Sequence, residues 1–484
     1  MNFYKKTSFV LFLILVTIFS TSCSLFRTKE PPPPVDKTEK NLTIYNMYDS
    51  ADVFDPLIQQ YLTENPYTKV FYEVFYDFDE YEKRVLNELA EGEGPDIFAM
   101  PNSWFVKNKK KLIPMPETMG AVDDYEVTFV DVVSKDLVIT DDEGIKRAYG
   151  VPLAVDTLAL YYNKDHFEDA VPNRGRPAST WSGLKNDVYL LNKKGSTSNL
   201  FEVSGIAMGL SSNVTYGVDA LFALMIQEGT VFYDEVMAKS VFASTSSGSV
   251  KPSSVAMDLY TSFSDKSQKH YSWSKYMAKD YAKNDVSAFA AGEVSMIFGY
   301  PSTYEEILTE RRNLKSDSDS DTVVKISSIK TAPLPQVVDP SVSTEKRDTY
   351  ADYFAFGVAR TSEYSDAAWD FLTFVTNPES ERYYFEQTHK PTSRRDLIQE
   401  EMLDPIYGTF AEQVGYAESF PVLDYLVNRE MFEVAIEEVV DGKAASSVLM
   451  DLQNEINKLL PQLGYIVPVN TDYYEQLQTE EEKG

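Results

Sequence analysis

The chain has 484 residues and a single cysteine, Cys23. A lone thiol has no intrachain partner, so no disulfide staples this fold and its core must hold it together. Histidine is nearly as scarce. His166, His270 and His389 are the only three, and no His-Glu-x-x-His or other metal-ligand spacing joins them, so no metal site is expected. No Gly-x-Ser-x-Gly elbow occurs. Basic residues are short too, with 45 Lys and Arg against 75 Asp and Glu and a net charge of −30. Such a chain repels phosphates and anionic headgroups, which argues against nucleic-acid binding and against adhesion through a basic patch. Past the N-terminus there is no second long apolar run, so nothing in the body reads as a membrane span.

What is present begins with Lys5 and Lys6, an uncharged apolar run from Phe9 to Phe19, and Ser20-Thr-Ser22 leading into Cys23. That is the layout of a signal peptide over residues 1–22. As a helix the run would rise only about 16 Å, against roughly 30 Å of hydrocarbon, too short for a permanent span. Small residues before a cysteine resemble the bacterial lipobox, although Ser20 stands where an aliphatic residue is usual. The expectation is cleavage before Cys23, acylation of its thiol, and a lipid anchor at the extracytoplasmic face of the cell membrane. Cleavage would remove two lysines and no acid, leaving 43 basic against 75 acidic residues, a net charge of −32. Acyl chains contribute about 0.8 kcal/mol per buried CH₂, so they anchor without help from charge. Beyond Cys23, residues 27–40 hold four consecutive prolines and almost nothing apolar. They read as a tether in extended polyproline geometry.

From Asn41 the hydrophobic period alternates. Leu42–Tyr45 reads as a strand. Val53, Leu57, Ile58, Tyr61 and Leu62 recur at helical spacing, and Lys69–Val74 is a second strand. Tyr81, Val85, Leu86 and Leu89 mark another helix, and Pro95–Met100 a third strand. Strand, helix, strand, helix, strand implies a parallel sheet with helices on its faces and a ligand at the carboxyl ends of the strands. Those ends carry Asn46–Ser50 and Met100–Trp104. Asp317, Asp319 and Asp321 have the spacing of the first calcium-loop ligands. Thr322 and Ser328 replace the Gly and Glu that such a loop needs, so this is a solvated acidic loop.

Further along lie Gly94-Pro-Asp96, Gly150-Val-Pro152, Tyr162-Asn-Lys-Asp165, Thr180-Trp181, and Phe289-Ala-Ala-Gly-Glu-Val-Ser-Met296 running into Gly299. Ala367-Ala-Trp-Asp-Phe-Leu372, Asn377-Pro-Glu379, Asp441-Gly-Lys443 and an amphipathic stretch from Ser447 to Leu460 complete the series. In this order the motifs resemble the family-1 extracellular solute-binding proteins, which deliver solutes to ABC importers. The resemblance covers nearly the whole body. It implies a two-lobed, type II periplasmic-binding-protein-like α/β fold, each lobe a mixed sheet flanked by helices, with several interlobe hinge crossings. Residues 41–152 with 354–402 would form the N-terminal lobe, and 153–353 with 403–484 the C-terminal lobe. The crossings would lie near Val151–Val155, near Tyr353–Gly357 and beyond Met402.

The resemblance also implies a ligand site between the lobes. Its hinge carboxylate falls on Asp156. Tyr48 and Asp49 follow the first strand, Asn102 and Trp104 the third, and Tyr216 stands where the second lobe often offers an aromatic. Where the family commonly has a tryptophan two residues past the glycine matching Gly299, this chain has Pro301, which leaves Tyr300 as substitute with Tyr304 beyond it. Arg394 and Arg395 read as ion-pair partners. Aromatic residues make up 13% of the chain, and sugar sites need flat apolar faces with a few fixed polar groups. The implied activity is binding without chemistry or cofactor, by a monomer, of a solute of the sugar or oligosaccharide type. The implied partners are permease subunits and, through the anchor, the membrane. A polyamine or other cation receptor of the same fold, and an extracellular glycoside hydrolase with paired carboxylates, are the competing readings.

Overall fold

A computed structural model describes residues 37–195, 201–234, 239–244, 250–275, 284–317, 323–339, 347–420 and 425–460. The signal segment, Cys23, most of the tether and residues 318–322 of the acidic loop lie outside them. The body begins at Lys40. Its elements open with β1 (Lys40–Met47), α1 (Ala51–Glu64), β2 (Thr68–Phe75), α2 (Phe78–Glu91) and β3 (Ile97–Pro101). The apolar positions read from the sequence explain them. Phe54, Leu57, Ile58 and Tyr61 form the buried stripe of α1, and Tyr81 and Val85 that of α2. Asp77 caps α2 by accepting from the Glu80 amide, and Gly92 ends it in the left-handed region at φ 78°, where a side chain would be strained.

β1 pairs in parallel with both β2 and β3. The sheet is completed by β4 (Leu112–Ile113) and by a strand from far along the chain. Between those two come β5 (Ala159–Asn163), α3 (Gly217–Gln227), β6 (Met296–Gly299), α4 (Thr303–Asp317), β7 (Ile329–Ala332) and β8 (Thr349–Ala351). The late strand itself is β9 (Phe354–Ala359), followed by α5 (Ser365–Val375), α6 (Pro378–Thr388), β10 (Ala417–Ser419), α7 (Tyr425–Val440) and α8 (Ala445–Leu459). The first sheet has the order β2-β1-β3-β9-β4, with β9 antiparallel to its neighbours. A second sheet, β6-β5-β7, is antiparallel, and β8 pairs in parallel with β10.

These sheets belong to two hydrophobic cores. One gathers side chains from Leu42 to Val155 with Ala351 to Tyr384, Val414 and Ala417. The other gathers Leu158 to Tyr350 with Tyr407 to Leu460. The molecule is thus a two-lobed α/β fold, and the chain passes between the cores on adjacent antiparallel segments. Val151 and Phe356 exchange backbone hydrogen bonds of 3.0 and 2.9 Å, and the Asp352 amide donates to the Asp156 carbonyl at 3.1 Å. Arg394 and Arg395 pair with Asp396 and Asp131. Among the described residues no helix is long and apolar enough to cross a membrane, and no cluster could hold a metal ion.

Gly150 sits where this crossing begins. A Cβ there would lie 2.3 Å from a Phe105 ring carbon and 2.8 Å from the Phe356 carbonyl oxygen. Gly150→Ala is therefore expected to cost about 3 kcal/mol in a denaturant titration, the upper range for overpacking, because ring and paired backbone must both move. A loss well under about 1 kcal/mol would show that Phe105 yields freely.

Candidate functional site

A cleft of about 520 Å³ opens beside the crossing segments, with walls drawn from both cores. Its first corner is the end of β1. The Tyr48 amide donates to the Phe75 carbonyl and the Asp49 amide to the Met47 carbonyl, and Tyr48 takes φ 67°. A non-glycine residue there costs on the order of 1 kcal/mol. The half-exposed Tyr48 ring stands edge-on to Phe354 at 5.9 Å. Asp49 is held more firmly. Lys390 Nζ reaches its Oδ1 at 2.8 Å, Tyr384 donates to Oδ2 at 2.8 Å, and Tyr72 donates to its carbonyl at 2.7 Å.

Asp156, on the crossing segment, has a buried Oδ1 without a hydrogen-bond partner. Burial pushes its carboxyl up to about 6, against Lys390, which pulls it down, and with Asp49, which raises it further. Burial also pulls the Lys390 ammonium down, but Asp49 and Asp156 outweigh it and hold it above the ordinary lysine value.

The opposite wall comes from the second core. Tyr216 and Tyr300 meet edge-on at 5.0 Å, and Tyr161 donates to the Tyr300 carbonyl at 2.9 Å. The Tyr300 hydroxyl donates to Asp219 Oδ1 at 3.1 Å. Arg429, from α7, engages both oxygens of that carboxylate, one of them at 3.1 Å. Asp219 is fully buried in the first turn of α3. Glu306, one turn into α4, also faces the cleft, and burial raises its carboxyl above the usual range, with Tyr216 opposing.

The lining brings together Tyr48, Asp49, Asp156, Tyr216 and Tyr300. Asn102, Trp104 and Tyr304 lie elsewhere. The Asn102 amide donates to Asp136 at 2.8 Å, in a buried cluster with Tyr353 and Ser419. Trp104 packs on Phe78 at 5.2 Å, and Tyr304 stands edge-on to Tyr407 at 5.9 Å. Sequence reasoning missed Lys390, Tyr384, Asp219, Arg429, Glu306, Asp352 and Phe354, all of which line the cleft. Of these, Asp219 alone carried a local signal, being one helical step beyond Tyr216.

Residues 57–405 match the family described as bacterial extracellular solute-binding protein. A binding protein of Brucella abortus (strain 2308) is 24% identical over 324 residues, which are 66% of this chain and 68% of the relative. Among solved structures, the sugar-binding protein MalE from Xanthomonas citri superposes with a TM-score of 0.69 at 17% identity, covering 88% of this chain and 98% of its own. The cyclic α-maltosyl-1,6-maltose binding protein from Arthrobacter globiformis gives 0.66 at 17% identity, over 87% and 98% of the two chains.

Proposed function

The chain belongs to the bacterial extracellular solute-binding proteins, and from that premise we propose that it captures a sugar or oligosaccharide in this cleft and delivers it to an ABC importer. The observation that carries the reading is the lining itself. Tyr48, Tyr216, Tyr300, Tyr353, Phe354, Phe356 and Tyr384 supply ring faces and edges, while Asp49, Asp156 and Lys390 supply fixed hydrogen-bonding groups. Rings for C–H faces and a few convergent polar groups for hydroxyls are what a sugar needs. The cleft's volume falls within the roughly 300–1,000 Å³ of small-molecule sites. The structural relatives named for sugar and maltosyl binding support the same class.

Capture needs no bond-making. Ligand enters between the cores, contacts both walls, and stabilises the closed arrangement because that arrangement binds it better. Residues 41–152 with 354–402 would move against 153–353 with 403–484, bending at the paired segments around Val151 and Phe356. Lipid on Cys23 would keep the receptor at the extracytoplasmic face, next to its permease. Calorimetry and thermal melting against mono- and oligosaccharides test this. A sugar at about 100 times its Kd should stabilise the protein by about 2.7 kcal/mol, with compaction visible by X-ray scattering. The reading fails if no sugar shifts the melt, or if oligosaccharides are cleaved in proportion to protein added.

A further inference from the structure

The wall of the cleft that the second core supplies is reached through a loop. Residues 211–216 lead into α3, and the last of them, Tyr216, lines the cleft. A side chain presented by a loop is placed only as firmly as the backbone beneath it is held. Here each end of the loop is held by a carboxylate from elsewhere in the chain. Glu437, on α7, accepts from the Ser211 and Ser212 amides, each at 3.0 Å. Asp285, at the start of the short helix Asp285–Ala290, accepts from the Thr215 amide at 3.0 Å and from the Thr215 hydroxyl at 2.6 Å. Between them, Trp273 donates to the Asn213 side chain at 2.8 Å.

Asp285 stands in an unfavourable place for an acid. It is 0% exposed, and its Oδ2 is buried without a partner. Burial pushes its carboxyl up to about 6, against the Thr215 hydrogen bonds, which pull it down. Asparagine would offer Thr215 the same oxygen with no charge to bury, so packing alone does not call for an acid there. What the carboxylate adds is strength, because charge-assisted hydrogen bonds are roughly twice as strong as neutral ones. The residue so held is the immediate neighbour of Tyr216, whose ring stands edge-on to Tyr300 in the cleft wall. Asp285 itself does not line the cleft.

We propose that Asp285 is a positioning residue for solute capture: by holding Thr215 it fixes the Tyr216 ring in the cleft wall before the solute arrives. This rests on the sugar-capture reading above and adds to it a residue that touches no solute. A ring already ordered does not have to be ordered on binding, and the difference appears as affinity.

The test uses the full chain with glucose, galactose, maltose and cellobiose, and the sugar bound most tightly in calorimetry carries the series. Asp285→Ala should weaken its binding about tenfold, the scale of one side chain that must now be ordered by the ligand. Asp285→Asn keeps the accepting oxygen and should bind within about threefold of the parent. In a Tyr216→Ala background, Asp285→Ala should change affinity by less than about twofold, because the ring it positions is gone. Thermal melting checks each variant. Should Asp285→Ala melt far below the parent, Thr215→Val carries the affinity and coupling measurements; it sits at an exposed position, removes the hydroxyl bond alone and should weaken binding about threefold. Hydrogen exchange over residues 211–217 follows the loop without any sugar, and it should quicken in Asp285→Ala.

An Asp285→Ala protein that binds as tightly as the parent would overturn the inference and leave sugar capture standing. An equal loss in the Tyr216→Ala background would also overturn it, by making Asp285 a general support of the fold, as would an asparagine variant no better than alanine. If no sugar in the panel binds, the sugar reading fails and exchange decides the rest: a loop that exchanges no faster in Asp285→Ala overturns the positioning too.

Discussion

Asp219→Ala is expected to destabilise the protein by about 3 kcal/mol, the lower end for breaking a buried ion pair, and to weaken solute binding by about tenfold or more. Asp219 is 0% exposed, and its two oxygens receive Arg429 and the Tyr300 hydroxyl. Truncation takes from a largely buried guanidinium the carboxylate that engages it on both oxygens. The Arg429 side chain keeps 21% of its exposure, which is why the lower end applies. Tyr300 loses the acceptor that fixes its ring beside Tyr216, so the second wall of the cleft loosens, and ordering it again on binding costs affinity. The control is the double variant Asp219→Ala/Arg429→Leu. With the guanidinium removed as well it should recover much of the lost stability in a denaturant titration while binding stays weak, since the wall is still unpinned. A double variant less stable than the single one would show that the pair contributes through packing and not through charge compensation.

The contrast between what was legible and what was not is clearest around this pair. Local periodicity was enough for β1 to β3 and the helices between them, because each buries one face against its neighbour and the apolar spacing records it. The motif order then carried the two-lobed fold, which the matching family and the structural relatives bear out. The cleft was less legible, for physical reasons that differ by residue. Asp219 and Arg429 are 210 positions apart, and Asp49 and Lys390 are 341. Neither pair leaves a trace in local sequence, since only the folded chain brings its members together.

Asn102 and Trp104 do follow a strand end, where a parallel sheet places ligands. But the chain turns at once into a short helix, Asn102–Trp104, and Asp136 takes the Asn102 amide inward. Tyr304 fails on helical geometry. Ser302 and Glu306 line the cleft four residues apart, so the residue midway between them points to the far side of α4, where Tyr407 meets it. Tyr300, just before that helix, faces the cleft. Pro301, where the family resemblance led one to expect a tryptophan, offers no aromatic face.

The same crossing segments carry a pH dependence that Glu401→Gln should expose. Glu401 is 4% exposed. Its Oε2 accepts from the Thr392 amide at 3.0 Å, and its Oε1 is buried without a partner. Burial pushes the carboxyl up to about 7 from the ordinary 4.5, with Glu400 adding to the rise. A raised acid means the folded chain binds its proton more tightly than the unfolded chain. Its stabilising contribution is complete below about pH 4.5 and is lost as pH climbs through about 7, a swing of about 3 kcal/mol.

Glutamine keeps a carbonyl oxygen for Thr392 and cannot ionise. The variant should therefore match the parent near pH 4.5 and exceed its stability by about 3 kcal/mol above pH 7, read from urea titrations across that range. Glu381, fully buried with its Oε1 3.0 Å from the Ser393 hydroxyl, is also held well above the carboxylate range by burial, and it titrates in parent and variant alike. The difference between the two curves therefore isolates Glu401. A constant offset at every pH would mean that Glu401 is already neutral, or already charged, throughout. The location gives the result its functional weight. Thr392 and Ser393 lie against the crossing strand, with Ser393 donating to the Pro152 carbonyl at 2.7 Å and the Val155 amide to Pro391 at 2.9 Å. Through Thr392, which bridges Ala154 on the crossing strand, Glu401 is tied to the segment that carries Asp156.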